Sequence, residues 1–365
     1  MSEASPRKNS GATAALKALL WIYIGLCLFI AGLNYGYAPK APETTARFIE
    51  WFWHLYENWI KTAFIIIASY LTIKIVRQNK RTRMRQRNLI GFIAAALVIH
   101  IFTPLILRNN EVYFFAMPLP WTTIPLQLVF EETAFYASRF PLWGAAGITA
   151  ALTVYAGISI IVFLGTLLWG RRWQCSTICL FNGFAAEAFA PVFPLCGKRK
   201  GDGSKWLKVL SIARWIMLGL GVAFVFYWIM LLSGVVIFAN HTLIEKMEIY
   251  KYLSAELLLM MALWIVFCGR GYCYYCPLGT VLAFVGRMSG QKIDTNKSKC
   301  INCNQCNTVC PMQIDIRSKA EKGEPVISSL CVGCGHCVDS CPTQTLFYTT
   351  HFMDILAKRR NQNKN

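Results

Sequence analysis

Two cysteine runs near the C-terminal end restrict the fold of this chain more than any other feature. Each run has the spacing C-x2-C-x2-C-x3-C and is followed by a proline. Short loops with this spacing aim thiolates at the corners of a [4Fe-4S] cube, and the fourth cysteine of one run usually ligates the other cube. The pattern therefore predicts two cubes, the first on Cys300, Cys303, Cys306 and Cys341, the second on Cys331, Cys334, Cys337 and Cys310.

Other uses of these eight cysteines fit the spacing less well. Structural zinc sites usually pair two C-x2-C knuckles across a longer gap, whereas here four cysteines follow one another in each run. Thiols three residues apart also suit a polynuclear cluster better than a disulfide bridge. We therefore predict a small α+β ferredoxin domain of the bacterial two-cluster type over residues 291–348, and a chain that handles single electrons.

The rest of the chain has the composition of a membrane protein. Apolar residues make up 55% and charged residues 15% of its 365 residues, which is too apolar for a soluble domain of this length. Stretches of about 20 apolar residues can cross the hydrocarbon core as helices. We predict an all-α polytopic membrane domain over residues 1–290 with six such spans, near residues 18–37, 59–76, 89–107, 145–169, 209–238 and 250–267.

Charged residues at the ends of two spans need a separate explanation. In the second span, Lys61 and Lys74 border a short apolar run, and we expect them to extend toward opposite membrane surfaces. The last span is expected to carry Lys251 and Glu256 in its first turns.

The distribution of positive charge predicts the orientation of the spans. Segment 77–88 holds six basic residues, the connector 170–208 seven and the N-terminal tail three, whereas the other three loops hold five against nine acids. Because Lys and Arg near helix ends stay on the cytoplasmic side, we expect both termini in the cytoplasm. Fourteen of the fifteen cysteines then lie on the reducing side.

The net charge of +19 does not indicate a nucleic-acid partner. That partner would need a basic face on a soluble fold, and here the Lys and Arg residues lie in loops between apolar spans. We expect contact with membrane lipid instead, including a basic C-terminal tail over residues 349–365.

A second group of cysteines directly follows two of the predicted spans. Cys175 and Cys179 come after the fourth span, and Cys273 and Cys276 come after the sixth, within turns at residues 170–196 and 268–279. The two turns echo each other, which indicates an internal duplication. Three uses remain open: an additional cluster or metal site, a redox-active dithiol, or bracing of the helix ends. Further candidates for the metal site are Cys268 and Cys196, and the thiolates of a dithiol would be favoured by Arg171, Arg172 and Arg270.

Two cysteine turns after membrane spans, followed by a two-cluster ferredoxin segment, resemble the membrane polyferredoxins that include NapH, NosR and the CcoG/RdxA/FixG group. The resemblance covers most of residues 145–348 and is closest to the short NapH type, because no segment is long enough for the flavin domain of NosR-like members. The family turn reads C-x3-C-P or C-x2-C-P-L-G. Residues 273–279 fit it, whereas Leu180 replaces the proline after Cys179.

The resemblance implies a function in a bacterial inner membrane. Its members pass electrons between the quinone pool and a partner reductase, so quinone or quinol is the implied substrate, and quinol dehydrogenase activity within a complex is implied. By analogy with the CcoG group, the alternative is an assembly factor that reduces or delivers a metal ion for a respiratory metalloenzyme. No catalytic side chain is predicted, because the cofactors carry the redox chemistry.

Histidines and outer-loop aromatics add few further ligands. His54 and His100 could ligate haem if they faced each other, but a polar interfacial role is commoner, so we expect no haem. Aromatic and acidic residues of the outer loops could line a quinol site or form an interfacial belt. His336, inside the second cysteine run, is expected on the surface, where it would tune a cluster potential rather than act as a ligand.

Overall fold

Six long helices form the membrane domain. The computed structural model describes residues 10–77, 82–196, 204–235 and 241–362. Within these ranges six helices are long and apolar enough to cross a membrane, which confirms the predicted all-α polytopic architecture. They are α1 (Gly11–Lys40), α2 (Glu43–Val76), α3 (Arg83–Leu107), α4 (Ala134–Trp169), α5 (Trp206–Leu232) and α6 (His241–Val266).

Parts of the predicted fifth span and of the charge pattern fall outside the described residues. This applies to residues 236–238 of the predicted fifth span, to the side chains of Lys205 and Arg360, and to Arg7, Lys8, Lys80, Arg81, Lys198, Arg199, Lys200 and Lys364.

The second and sixth helices begin well before their predicted starts. As a result, Lys61 lies inside α2, where its Nζ is 2.7 Å from a carboxylate oxygen of Glu57. Lys251 lies inside α6, with its Nζ 3.3 Å from Glu256. The expected extension of Lys61 to the surface was therefore wrong, as was the expected position of Lys251 and Glu256 in the first turns. Ion pairing keeps these charges within the spans, so hydropathy alone places the boundaries too late.

A glycine divides the fourth helix. Gly144 has φ 62° and ψ 178°, and Pro141 precedes it, so α4 consists of a short first part and a longer apolar part after the break. Glycine adopts this backbone conformation without the steric cost that a side chain would add. The apolar part after Gly144 matches the predicted span at residues 145–169.

Several membrane helices contain a π-helical segment, in which each turn holds an additional residue. Four segments lie in the long helices and a fifth in the connector after α4, counting only the described residues. They are Gly32–Tyr37, Tyr56–Ile60, Leu97–Phe102, Gln174–Ile178 and Tyr252–Leu258. Such segments are rare, and they are frequent at functional sites.

Short helices complete the connectors between the spans. They are Val112–Ala116, Ile124–Gln127, Gly183–Ala188, Ala190–Val192 and Gly271–Tyr274, followed by the longer α7 (Pro277–Met288). Large apolar side chains cover the outside of the bundle, as Phe29 (59% exposed) and Ile106 (79% exposed) illustrate. A surface of this kind is stable against lipid rather than water.

A small ferredoxin-like domain with a two-stranded sheet follows, as predicted. Strands β1 (Lys292–Thr295) and β2 (Leu346–Thr349) are antiparallel, with Ile293 opposite Tyr348. Between them lie the short helices Lys297–Lys299, Gln305–Thr308, Arg317–Lys322 and His336–Ser340. After β2 the chain forms α8 (His351–Gln362), which packs against the end of α4, where the ring of Phe352 meets that of Trp169 edge-on at 5.5 Å.

Hydrogen bonds hold the ferredoxin-like domain against the membrane domain. The carboxylate of Asp339 accepts from the backbone N–H groups of Met84 and Arg85 at 3.0–3.1 Å, at the first turn of α3. A helix N-terminus favours such a negative charge because its first N–H groups have no partner within the helix. The hydroxyl of Tyr348 donates to the carbonyl of Trp169 at the end of α4 (2.8 Å).

Candidate metal centres

The two cysteine runs adopt matching backbone conformations. The residues two and four positions after the first cysteine have positive φ in both runs: Asn302 (58°) and Asn304 (62°), then Gly333 (67°) and Gly335 (75°). Asparagine and glycine are the residues that tolerate this region best. Each loop therefore bends twice in the left-handed sense, which directs its cysteines toward a common centre.

Two cavities divide the eight cysteines between them. One is lined by Cys300, Cys303, Cys306 and Cys341, and the other by Cys310, Cys331, Cys334 and Cys337. The last cysteine of each run thus lies with the first three of the other run. Four thiols around one cavity, on loops of this spacing, fit the donor set of a [4Fe-4S] cube.

The two cavities differ in their exposure. Cys303 is exposed, whereas Cys334 and Cys337 are buried. The second loop faces the membrane domain so closely that a Cβ on Gly333 would lie 2.6 Å from the Cβ of Arg172. Burial raises the pKa of the Cys334 thiol, as does the nearby Glu187 carboxylate. The centre of the second run is therefore enclosed, and that of the first run faces outward.

The structure brings the four cysteines of the second group together. Burial raises the pKa of Cys276, and the nearby thiols of Cys175, Cys179 and Cys273 raise it further. Burial likewise raises the pKa of Cys179 to about 11, and again Cys175 and Cys273 contribute. The side-chain amide of Asn182, in the first turn, donates to the Sγ of Cys273 in the second (3.3 Å), so the two turns, about 100 residues apart in sequence, meet at one place.

The sulfur atoms of these four cysteines do not lie close enough together to bind a single metal ion. Among the described residues, no three of them lie within 4.8 Å of one another. A single tetrahedral ion with four thiolates needs sulfur atoms about 3.8 Å apart. The four cysteines are therefore too far apart for one ion as they stand, and the same holds for both ferredoxin sets.

The other two candidate cysteines lie apart from these four in their contacts. The Sγ of Cys268 lies 3.8 Å from the carbonyl oxygen of Pro311, which follows the first ferredoxin run. Cys196 is exposed at the end of the described range 82–196, and its N–H donates to the carbonyl of Ile265 (3.1 Å).

Two buried arginines surround the second group of cysteines. Arg270 donates to the carbonyl of Cys175 (2.7 Å), and its Nη1 lies 3.8 Å from the Sγ of Cys273. Arg171 donates to the carbonyl of Cys273 (3.3 Å). Burial by itself would lower the pKa of Arg171, but the thiols of Cys175 and Cys273 raise it. These cations favour negative charge on the sulfurs.

Arg172 has a different role from the one expected. Its Nη2 donates to the side-chain oxygen of Asn88 (3.1 Å), and its guanidinium lies over the ring of Tyr348. It joins the ferredoxin-like domain to α3, whereas Arg171 and Arg270 contact the cysteine turns.

A buried polar network connects the second group of cysteines to the enclosed ferredoxin centre. Glu187, which is 0% exposed, forms an ion pair with Arg270 and a 2.9 Å contact with Nε2 of His336. Burial alone would raise the pKa of Glu187, but His336 and Arg270 hold it well below its ordinary range. The hydroxyl of Ser176 donates to the carbonyl of Val332 (2.9 Å), so the two cysteine loops touch directly.

His336 is therefore not on the surface, and that prediction was wrong. It is 7% exposed and is enclosed between the second cysteine run and Glu187. A ligand atom of each of Glu187, Cys334 and His336 lies within 4.8 Å of the others. Because Arg270 pairs with this carboxylate, we interpret the group as support for the enclosed centre.

Sequence reasoning missed Glu187 and Asn88. Asn88 donates to the carbonyl of Cys334 (2.8 Å) from the first half of α3. The one available signal was the rarity of acids in the connector 170–208, which holds only Glu187 and Asp202 beside seven basic residues.

Comparison with known proteins identifies the C-terminal domain. Residues 292–342 match the family described as a 4Fe-4S dicluster domain. Together with the six apolar helices, this match defines a multi-pass membrane protein with iron–sulfur cofactors, of the kind that transfers electrons.

The curated relative found by comparison matches only a small part of the chain. An uncharacterised protein of Methanocaldococcus jannaschii is 39% identical over 51 residues, which is 14% of this chain and 21% of the relative. The chain therefore spans about a fifth of the length of that relative. No solved structure matches the chain.

Proposed function

We propose that this protein passes single electrons between the quinone pool and a partner redox protein or reductase complex, through [4Fe-4S] clusters that face the cytoplasm of a bacterium. The observation that supports the proposal most strongly is the order of the thiol groups. The second group of cysteines follows the membrane helices, the enclosed ferredoxin centre adjoins it, and the centre of the first run is exposed. Electrons could enter from the membrane and leave at that exposed loop.

The ligand sets proposed for the clusters are those that line the two cavities. Cys300, Cys303, Cys306 and Cys341 would hold the outward cluster, and Cys310, Cys331, Cys334 and Cys337 the enclosed one. When bound, each cube supplies a one-electron redox centre. Similarity to the NapH type and the division at residues 290 and 348 stay predictions.

We also propose a third iron–sulfur centre on Cys175, Cys179, Cys273 and Cys276. Two observations support it: the convergence of the two turns, and the two buried arginines that compensate a negative centre. The alternative role in metal delivery requires thiols that a client ion can reach. These thiols lie between the membrane domain and the ferredoxin-like domain, which favours a fixed centre instead.

An iron and acid-labile sulfide count of the anaerobically purified protein tests the proposal. We expect about twelve irons per chain, and paramagnetic resonance signals of [4Fe-4S] clusters after reduction. Cys273→Ser should lower the count to about eight, whereas Cys196→Ser, on the same side of the fold but outside the group, should leave it unchanged.

Two results would contradict different parts of the proposal. Iron-free, colourless protein would exclude the electron-transfer function as a whole. About eight irons in the wild type would exclude the third centre and leave the two ferredoxin clusters in place.

A further inference from the structure

A cavity lies within the membrane helices, apart from all the cysteine centres described above. It encloses about 110 Å³, and α1, α2, α3 and α6 contribute to its wall. Aromatic side chains make up much of the lining, among them Tyr23, Tyr35, Trp53, Tyr113 and Tyr252. An engineered protein cavity of about 150 Å³ holds benzene, so this space is of the same order as the room that a single six-membered ring needs, and somewhat smaller.

Ionisable side chains line the same cavity, although it lies among membrane helices. Two ion pairs border it, Glu57 with Lys61 at 2.7 Å and Glu256 with Lys251 at 3.3 Å. His100, which is 2% exposed, also lines it, and its Nδ1 has no hydrogen-bond partner among the described residues. Charged groups at this depth are costly, and in membrane proteins they usually mark proton or substrate pathways.

The π-helical segments converge on this cavity. Each of the five contributes lining residues: Tyr35, Tyr56 and Glu57, His100, Ile178, and Tyr252 and Glu256. A π-helical segment points its side chains in directions different from those of a regular α-helix. It also has an energetic cost. Four of these segments, all in long membrane helices, bring polar side chains to the cavity, which links the distortion of the helices to its polar lining.

Aromatic contacts lead from the cavity to the second group of cysteines. The ring of Phe181, which lines the cavity, lies 6.3 Å from that of Tyr252 and 5.1 Å from that of Tyr272. The hydroxyl of Tyr272 also accepts a hydrogen bond of 2.5 Å from Nε1 of Trp121. Tyr272 directly precedes Cys273, so only a few van der Waals contacts separate the cavity from the thiols.

We propose that this cavity binds the ring of a quinone or hydroquinone, with His100 and Glu256 as the groups that exchange its protons. This proposal rests on the function proposed above and assigns its membrane substrate to a site. A hydroquinone that is oxidised here loses two electrons and two protons. Two oxidised [4Fe-4S] clusters, when bound, would accept the electrons one at a time, and the protons pass to Nδ1 of His100 and to the Glu256 carboxylate. Quinone reduction is the reverse of these steps.

Oxidation of the reduced protein by a short-tailed quinone tests the site. The protein would be reduced with dithionite and freed of excess reductant, and then mixed with decylubiquinone while cluster absorbance is followed. Glu256→Gln and His100→Leu should slow the reaction about tenfold or more, because each removes a proton-exchanging group. His54→Asn alters a histidine that does not line the cavity and should react at the wild-type rate.

A binding measurement distinguishes loss of quinone affinity from loss of proton exchange. Decylubiquinone should quench the tryptophan fluorescence of the wild type and of Glu256→Gln with similar affinity. Ala116→Phe, which fills the cavity, should weaken binding about tenfold or more while iron content and ferricyanide oxidation stay unchanged.

The possible failures are distinguishable. If ferricyanide but not decylubiquinone oxidises the wild type, the proposed link to the quinone pool is wrong. If decylubiquinone oxidises the wild type and also all three cavity variants at the same rate, the quinone reacts elsewhere. The cavity assignment is then wrong, and the proposed function stands.

Discussion

At the scale of single residues, the pair formed by Glu187 and Arg270 is the most consequential contact. Both side chains are almost completely buried, and each also contacts a cysteine loop or its neighbour. Two charges removed from water are tolerated only when each compensates the other and the remaining hydrogen-bonding groups find partners. The pair therefore holds the second group of cysteines and the enclosed ferredoxin centre in one arrangement.

Replacement of one partner tests this role. Glu187→Gln leaves the Arg270 guanidinium buried beside a neutral amide, which should cost about 3–5 kcal/mol. We expect a lower thermal midpoint in detergent and loss of iron from the enclosed cluster. Glu324→Gln removes an exposed ion pair with Lys319 and should leave both properties unchanged. Equal behaviour of the two variants would show that the buried pair does not support the centres.

At the scale of elements, two kinds of unusual backbone shape the sites. Residues with positive φ bend both ferredoxin loops, and π-helical segments distort the membrane helices around the cavity. The two loops nevertheless use different residues. Asparagines occupy the left-handed positions of the exposed run and glycines those of the run that meets the membrane domain, where a Cβ has no space.

A pair of glycine substitutions distinguishes the cost of backbone strain from the cost of a clash between the ferredoxin-like domain and the membrane domain. Gly333→Ala and Gly323→Ala both place a Cβ at positive φ, but only at Gly333 would that Cβ approach a neighbour to 2.6 Å. Overpacking of this kind costs about 1–3 kcal/mol beyond the strain that both share. We expect a larger fall in thermal midpoint and weaker signals of the enclosed cluster for Gly333→Ala. Equal effects in the two variants would mean that close packing of Gly333 against the membrane domain does not contribute to stability.

At the scale of the whole molecule, the ferredoxin-like domain packs against one end of the helix bundle. It contacts the start of α3, the end of α4 and the turn after α4, so these connectors lie on the same side as the domain. An even number of spans predicts that the start of α1 lies on that side as well. The excess of basic residues in the same connectors predicts that this side is cytoplasmic.

Reporter fusions in a bacterial host test the orientation. A fluorescent protein fused after Asn365 should be fluorescent, and alkaline phosphatase inserted at Glu131, in the loop between α3 and α4, should be active. These results follow from the retention of Lys and Arg on the cytoplasmic side. An active phosphatase at the C-terminus, together with an inactive one at Glu131, would reverse the predicted orientation.

Features that depend on short stretches of sequence were predicted correctly, and features that depend on contacts with other residues were missed. Hydropathy located all six membrane helices, and cysteine spacing located the ferredoxin-like domain, because both signals are contained in short stretches of sequence. The starts of α2 and α6 were missed, since Lys61 and Lys251 look like span boundaries until their partners Glu57 and Glu256 are seen beside them. Burial of His336 was missed because its partner, Glu187, is 149 residues away.

By itself, the sequence determined a six-helix membrane anchor joined to a dicluster ferredoxin, because apolar length and thiol spacing act locally. Only the tertiary structure decided that the turns of Cys175 and Cys273 meet, that Glu187 connects Arg270 to His336, and that five π-helical segments border one cavity. Each of these features depends on contacts between residues far apart in the chain. Such contacts arise from helix packing, which no local pattern specifies.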